Sequence, residues 1–235
     1  ISGAEIGRVE NTVQLICAAY GCKRTDVFTI TSSMVVSIED QDRKFYTQTR
    51  RITGTQTNLS RLDQLNSLSR EICAKKPSYS FIQAKLRIIR EMRAYPLWFR
   101  AVSSALIAGA FTVFFGGSLW DTLVAILFGV FICLLQQKFT RICRSKMVFN
   151  LLSAILSGPA ICLTAALFPA LHADKIIIGD IMLLIPGLAT TNSVRDIMVG
   201  DTISGIMRLI ECLLWAAALA FGFMIAIRLT GGLPV

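Results

Sequence analysis

The hydrophobic pattern changes character once along the chain, near Tyr95-Pro96. Before that step, apolar positions come in short periodic sets. After it, they merge into blocks long enough to cross a bilayer. Residues 4–20 place Ile6, Val9, Val13, Ile16 and Cys17 at i, i+3, i+4 spacing. That spacing predicts an amphipathic helix, with Gly21 as its C-cap. Residues 27–31, 34–38 and 45–49 are short and β-rich, with Ser32-Ser33 and Glu39-Asp40-Gln41-Asp42 as turn signals between them. They predict an antiparallel meander, which needs helices to cover it. Asn58 is a candidate N-cap for a helix through Leu59, Leu62, Leu65, Leu68 and Ile72, stopped by Lys75-Lys76-Pro77. Residues 81–92 predict one more helix, with Lys85, Arg87, Arg90 and Arg93 as a basic surface.

Five apolar segments follow, at 97–115, 119–137, 147–169, 176–192 and 206–227. A bilayer span needs about 20 helical residues, and lipid cannot satisfy free backbone groups, so helices are the expected form. The pattern predicts an α-helical membrane protein with five transmembrane helices, preceded by a small α/β cytoplasmic domain. The expected division is a domain at 1–96, ending in the basic helix, and a membrane domain at 97–235.

Composition agrees with this pattern. Of 235 residues, 54% are hydrophobic and 17% charged, against about 25% charged in soluble domains. A fully soluble or disordered chain is excluded on that ground. The net charge of +9 is unevenly placed: residues 1–96 hold 15 Lys/Arg and 9 Asp/Glu, the remainder 9 and 6. The 119–137/147–169 connection carries Lys138, Arg141, Arg144 and Lys146, and the 176–192/206–227 connection carries Arg195. The other side has only Lys175 and Arg228. By the positive-inside rule the N-terminus is cytoplasmic and the C-terminus outside. A basic helix just before the first span suits anionic headgroups. No nucleic-acid motif accompanies the charge, so no nucleic acid is expected as a partner. Seven cysteines without a CxxC pair, and one histidine, His172, point to free thiols rather than a metal site.

Candidate chemistry concentrates in residues 179–211. Asp180 lies in an apolar run. It is either a carboxylate on a polar path or one stabilised at a helix N-terminus by the dipole. Pro186-Gly187 predicts a broken helix, the device by which transporters expose backbone groups to substrates and ions. Thr190, Thr191 and Asn192 set hydroxyl and amide groups beside that break. Arg195, Asp196 and Asp201 follow, with Asp201 a candidate N-cap for the last helix. Ser204, Arg208 and Glu211 share one face of that helix. No GxxxxGK[ST], HExxH or GxSxG sequence occurs, so neither an ATP-driven pump nor a familiar hydrolase is expected. No catalytic residue, metal or cofactor is assigned.

The same residues carry a resemblance. Pro186-Gly187, Thr191-Asn192, Arg195-Asp196, Gly200-Asp201, Ser204-Gly205, Arg208 and Glu211 resemble the PGxxxTN…RD…GD…SG…R…E pattern of the threonine/serine exporter family of bacterial membrane proteins. SGAEIGRVENT at 2–12 resembles the family's SGAExxRVE opening, and RRITGTQTNLSRLDQLN at 50–66 is similar to its pattern between sheet and helix. The chain ends soon after the last apolar segment, which resembles the larger unit of the split form. The resemblance therefore implies a second, smaller membrane subunit, a hetero-oligomer, and a site in the bacterial inner membrane. It implies proton-coupled export of threonine or serine, with succinate export as the alternative substrate class. The expected substrate-binding residues are Pro186, Gly187, Thr191, Asn192, Arg195 and Arg208. The expected proton-coupling residues are Asp180, Asp196, Asp201 and Glu211. Four carboxylates against two guanidinium groups suit a zwitterion better than a dianion. Two readings of another class stay open: a regulatory or assembly subunit without its own pathway, and a membrane-anchored enzyme built on the polar cluster Glu5, Arg8 and Glu10.

Overall fold

The computed structural model describes residues 3–54, 57–92, 95–139 and 145–231. In chain order the elements are α1 (Ile6–Ala19), β1 (Arg24–Thr29), β2 (Ser33–Glu39), β3 (Phe45–Arg51), α2 (Leu59–Lys75), α3 (Tyr79–Glu91), α4 (Leu97–Phe114), α5 (Leu119–Phe139), α6 (Lys146–Leu167), α7 (Ala173–Ile181), α8 (Gly187–Val199) and α9 (Thr202–Leu229). They form two compact units. The first joins the described residues up to 92 with 188–210, and the second joins 95–187 with 211–231. The units are thus not consecutive halves of the chain: α8 and the start of α9 belong with the N-terminal elements.

In the first unit the three strands make the expected antiparallel meander, in the order β1-β2-β3. Val27 stands opposite Val36, and Val36 opposite Gln48. α1 packs on β1 and on α2, and α2 packs on α3. A small core gathers Leu68, Ile72 and Ile89, with Ile16, Leu65, Ile82 and Met92 around it. The caps follow the sequence. Asn58 Oδ1 accepts from Arg61 N at 2.9 Å, and α2 ends on Lys76 in the left-handed region. Gly21, at φ +88°, turns the chain after α1, where the lack of a Cβ makes that conformation free of strain. Lys85, Arg87 and Arg90 are exposed on α3, as a basic surface requires. Arg93, and the loop residues Arg141 and Arg144, lie outside the described residues.

In the second unit the helices approach closely through small residues. A Cβ at Gly129 would meet Ala108 Cβ at 2.8 Å and the Ser104 carbonyl at 2.9 Å. Contacts of this kind replace the hydrophobic drive that lipid removes. The core collects Ala108, Ala125, Ile132, Ala154, Ile161 and Ile176. Leu106, Leu127, Leu163 and Phe221 stand exposed on the outer faces, as lipid-facing side chains should. Among the described residues, four helices are long and apolar enough to cross a membrane: α4, α5, α6 and α9.

The expected fourth span, 176–192, is not one of them. It is divided between α7, which has nine residues, and α8, which begins at Gly187. Pro186 sits just before α8, where its missing N–H costs nothing, but it cannot continue α7. The described cysteines are free thiols, with Cys133, Cys162 and Cys212 buried. Cys143 lies outside the described residues.

Candidate functional site

Helix α1 begins without help from its own sequence. Glu5 occupies the N-cap position but makes no capping hydrogen bond, and no acidic residue stands in the first turn. The first N–H groups of a helix must nevertheless find acceptors. Here α8 brings a carboxylate to that end: the backbone N–H of Ile6 faces Asp196 and favours its charged form. Two further ties hold the same junction. Asn192 Nδ2 donates to the Gly3 carbonyl at 3.4 Å, and Arg195 Nη1 pairs with Glu5 Oε1 at 2.8 Å. Residues 190 positions apart in the chain thus meet in one place.

The start of α9 closes the site. Arg208 Nη1 reaches Asp196 Oδ2 at 3.1 Å, with Asp196 only 3% exposed and Arg208 22%. The Asp201 carbonyl accepts from Gly205 N at 2.9 Å, the backbone pattern of the expected N-cap. Gly205 allows α9 to lie against α8, since a Cβ there would come within 2.8 Å of the Ser193 carbonyl and 2.5 Å of Ile197 Cγ1. Asp201 faces the first turn of α1 across Gly7, where a Cβ would stand 3.7 Å from Asp201 Oδ2.

The electrostatics of this junction pull in opposite directions. Burial pushes the Asp196 carboxyl above the usual carboxylate range. Arg208 and the Ile6 N–H draw it back down, while Asp201 and Glu5 push it up again. The N-terminal end of the α1 dipole adds a partial positive charge toward the acids. Three carboxylates, Glu5, Asp196 and Asp201, therefore meet two guanidinium groups, Arg195 and Arg208. Such a cluster can bind opposite charges and can change its own charge by one proton.

A second polar feature lies in the second unit. Asp180 is fully buried, and neither of its carboxyl oxygens has a hydrogen-bond partner among the described residues. It falls in the last turn of α7. The alternative of a carboxylate stabilised at a helix N-terminus is therefore overturned: a helix C-terminus repels negative charge. Its neighbour Gly179 packs so tightly on α4 that a Cβ would overlap the Thr112 hydroxyl. By contrast, buried Asp121 is fully engaged. It accepts from Ser118 N at 2.8 Å, from His172 N at 2.7 Å, and lies 3.0 Å from His172 Nδ1. It ties the start of α5 to the start of α7.

The structure divides the sequence-predicted residues. Asn192, Arg195, Asp196, Asp201 and Arg208 come together in the first unit, with Thr191 exposed on α8 beside them. Asp180, Pro186, Gly187 and Glu211 belong to the second. Arg208 pairs with Asp196, while Glu211, one turn further along α9, is exposed. Sequence reasoning left Gly3, Glu5 and Ile6 out of the site. Their signal was the SGAEIGRVE stretch itself, in which Glu5 was weighed only as part of a surface cluster. The Asp121–His172 tie was also missed, because its members are 51 positions apart.

In comparisons with known proteins, the family described as "Putative threonine/serine exporter" (ThrE) matches residues 1–230. No curated protein and no solved structure matches the chain. The matched stretch takes in both ends of the junction, from Glu5 on α1 to Arg208 on α9. The family is one of exporters rather than enzymes. With four apolar helices of spanning length and nearly its whole sequence matched, the chain belongs to the threonine/serine exporter family of membrane proteins.

Proposed function

We propose that this chain is a subunit of a proton-coupled secondary exporter of small hydrophilic metabolites, with threonine and serine as its substrates, and that it has no catalytic activity of its own. It acts with a second, smaller membrane subunit in the bacterial inner membrane. Its N-terminus is cytoplasmic, its C-terminus is outside, and it crosses the bilayer five times.

The observation that carries the reading is Asp180. An ionised carboxylate buried without a partner is among the most costly groups a protein can hold. Such groups inside membrane segments mark ion or proton paths. This one sits at the end of α7, immediately before the Pro186-Gly187 break. Arg195, Arg208, Asn192 and Thr191 supply the polar groups for a zwitterionic substrate, and Asp196, Asp201 and Glu211 supply further carboxylates.

On this reading α4, α5 and α6 make three crossings, residues 171–187 the fourth, and α9 the fifth. α7 alone is about 14 Å long at 1.5 Å per residue, about half of a 30 Å hydrocarbon core, so the broken stretch after it completes the passage.

The test is efflux from vesicles carrying this chain with the membrane protein encoded beside it. Labelled threonine, serine and succinate are compared with and without a proton gradient. Gradient-dependent movement of threonine or serine is the expected result, and Asp180→Asn abolishes its dependence on the gradient. Movement of succinate alone would replace the amino-acid assignment with the dicarboxylate one. No movement of any of the three by an intact, assembled pair would favour a regulatory or assembly role.

A further inference from the structure

The first unit holds a groove that the exporter reading does not use. It lies between α1 and α2, encloses about 470 Å³, and is lined by Arg8, Asn11, Thr12 and Leu15 from α1 and Asn66, Ser69, Arg70 and Cys73 from α2. That volume is within the range of small-molecule sites. The lining has one sign of charge: two guanidinium groups and no carboxylate. The amides of Asn11 and Asn66 add donors and acceptors on facing helices. The Thr12 hydroxyl donates to the Arg8 carbonyl at 2.7 Å and the Ser69 hydroxyl to the Asn66 carbonyl at 2.8 Å, so both oxygens remain acceptors only while those bonds hold. Leu15 and Cys73 give the groove an apolar side.

The charge selects the ligand. An amino acid brings an ammonium group, and the lining has no carboxylate to pair with its charge. A small dianion matches two guanidinium forks, each able to make paired hydrogen bonds to a carboxylate or phosphate. Arg70 makes no ion pair among the described residues. Arg8 has one, a loose contact from Nε to Glu5 Oε2 at 3.6 Å, with the Arg8 side chain 69% exposed. Glu5 in turn holds Arg195 at 2.8 Å. The groove is therefore one ion pair away from the α1–α8 junction.

We propose that this groove is a regulatory site for a small dianion, a dicarboxylate or a phosphate-bearing metabolite. The ligand competes with Glu5 for Arg8 and so changes the charge that Arg195 meets on α1.

Cys73 gives a local readout. The full chain in detergent is alkylated with a maleimide, and the rate at Cys73 is followed by peptide mass spectrometry. Succinate, inorganic phosphate, threonine and sodium chloride of matched ionic strength are compared. Succinate or phosphate should slow alkylation at least about fivefold and saturably, and the one that saturates at lower concentration identifies the source. Arg70→Gln should raise the half-protecting concentration at least about tenfold, and Arg70→Lys, which keeps the charge but not the fork, by less. Glu5→Gln should lower it, because Arg8 is released. Protection no greater than with chloride, protection unchanged in Arg70→Gln, or equal protection by threonine would overturn the site. An unchanged half-protecting concentration in Glu5→Gln would overturn the link to the junction.

Discussion

Asp196→Ala is the sharpest perturbation of the α1–α8 junction. The variant removes the carboxylate that the Ile6 N–H faces and the partner of Arg208 at 3.1 Å. A hydrogen bond to a charged group contributes about 1.5–3 kcal/mol. The Glu5–Arg195 pair would remain, but Arg195 is 56% exposed, and an exposed ion pair is worth only about 0.2–1 kcal/mol. It cannot replace what is lost. Since each 1.4 kcal/mol is about a factor of ten, local opening at the start of α1 should rise by about 10- to 150-fold. Amide hydrogen exchange reads that opening directly. Peptides covering Ile6, Gly7 and Arg8 should exchange faster by this factor, while those from α2 and from the β1–β2 ladder stay within about twofold. Asp196→Asn keeps an acceptor and should fall between. If Asp196→Ala leaves the first turn of α1 unchanged, or speeds every peptide equally, the idea that α8 caps α1 is wrong.

Two further predictions rest on the carboxylates. Burial raises the Asp196 carboxyl above its ordinary value, so the folded state binds this proton more tightly than the unfolded state does. The stabilisation from that proton is fully present below the unfolded value, about 3.9, and is lost as pH rises through the folded one. Wild type should therefore gain stability relative to Asp196→Asn as pH falls from neutral, measured by chemical unfolding in detergent; a parallel pair of pH profiles would contradict this. Asp121→Ala should lower the unfolding free energy by about 2–3 kcal/mol, because it strips acceptors from Ser118 N and His172 N together. His172→Ala should cost less, since its backbone N–H keeps the carboxylate and its side chain is 62% exposed; equal losses from the two variants would argue against that division.

What could be read from the chain alone was local. The Asn58 cap, the stop at Lys75-Lys76-Pro77, the meander and the break at Pro186 follow from the chemistry of a few adjacent residues. Four of the apolar segments became long helices within a few residues of their expected ends. The position of Asp180 was misjudged because the segment start at 176 came from hydropathy. α7 begins at Ala173, after His172 and Asp121 fix its first turn, and ends at Ile181, ahead of Pro186; the early stop leaves Asp180 at the end of a helix rather than its beginning. The partners of Arg208 and Arg195 were hidden for a different reason. Spacing on one helix favoured Glu211 for Arg208, but a tertiary contact from α8 placed Asp196 there instead. Nothing in the periodicity of either segment relates residue 5 to residue 195.

That long-range relation changes how the sequence signatures should be understood. The N-terminal stretch and the Arg195-Asp196…Gly200-Asp201…Arg208 stretch look like separate motifs, one for a polar domain and one for a membrane segment. In the fold each completes the other. α1 has no side-chain cap of its own, and the N–H of its first residue faces Asp196. Asp196 is buried, so it depends on Arg208 and the Ile6 N–H. Arg195 depends on Glu5 for its closest charge. Under these conditions α8 cannot move alone. If α8 shifts, it either carries the first turn of α1 with it or separates the Ile6 N–H from the Asp196 carboxylate, and a buried group left unsatisfied costs about 1–3 kcal/mol, more where it is charged. The coupling is symmetric in free energy. If a ligand that engages Arg8 biases α8, a shift of α8 must change that ligand's affinity by the same factor, which would make the N-terminal residues part of the energetics of the α8–α9 segment.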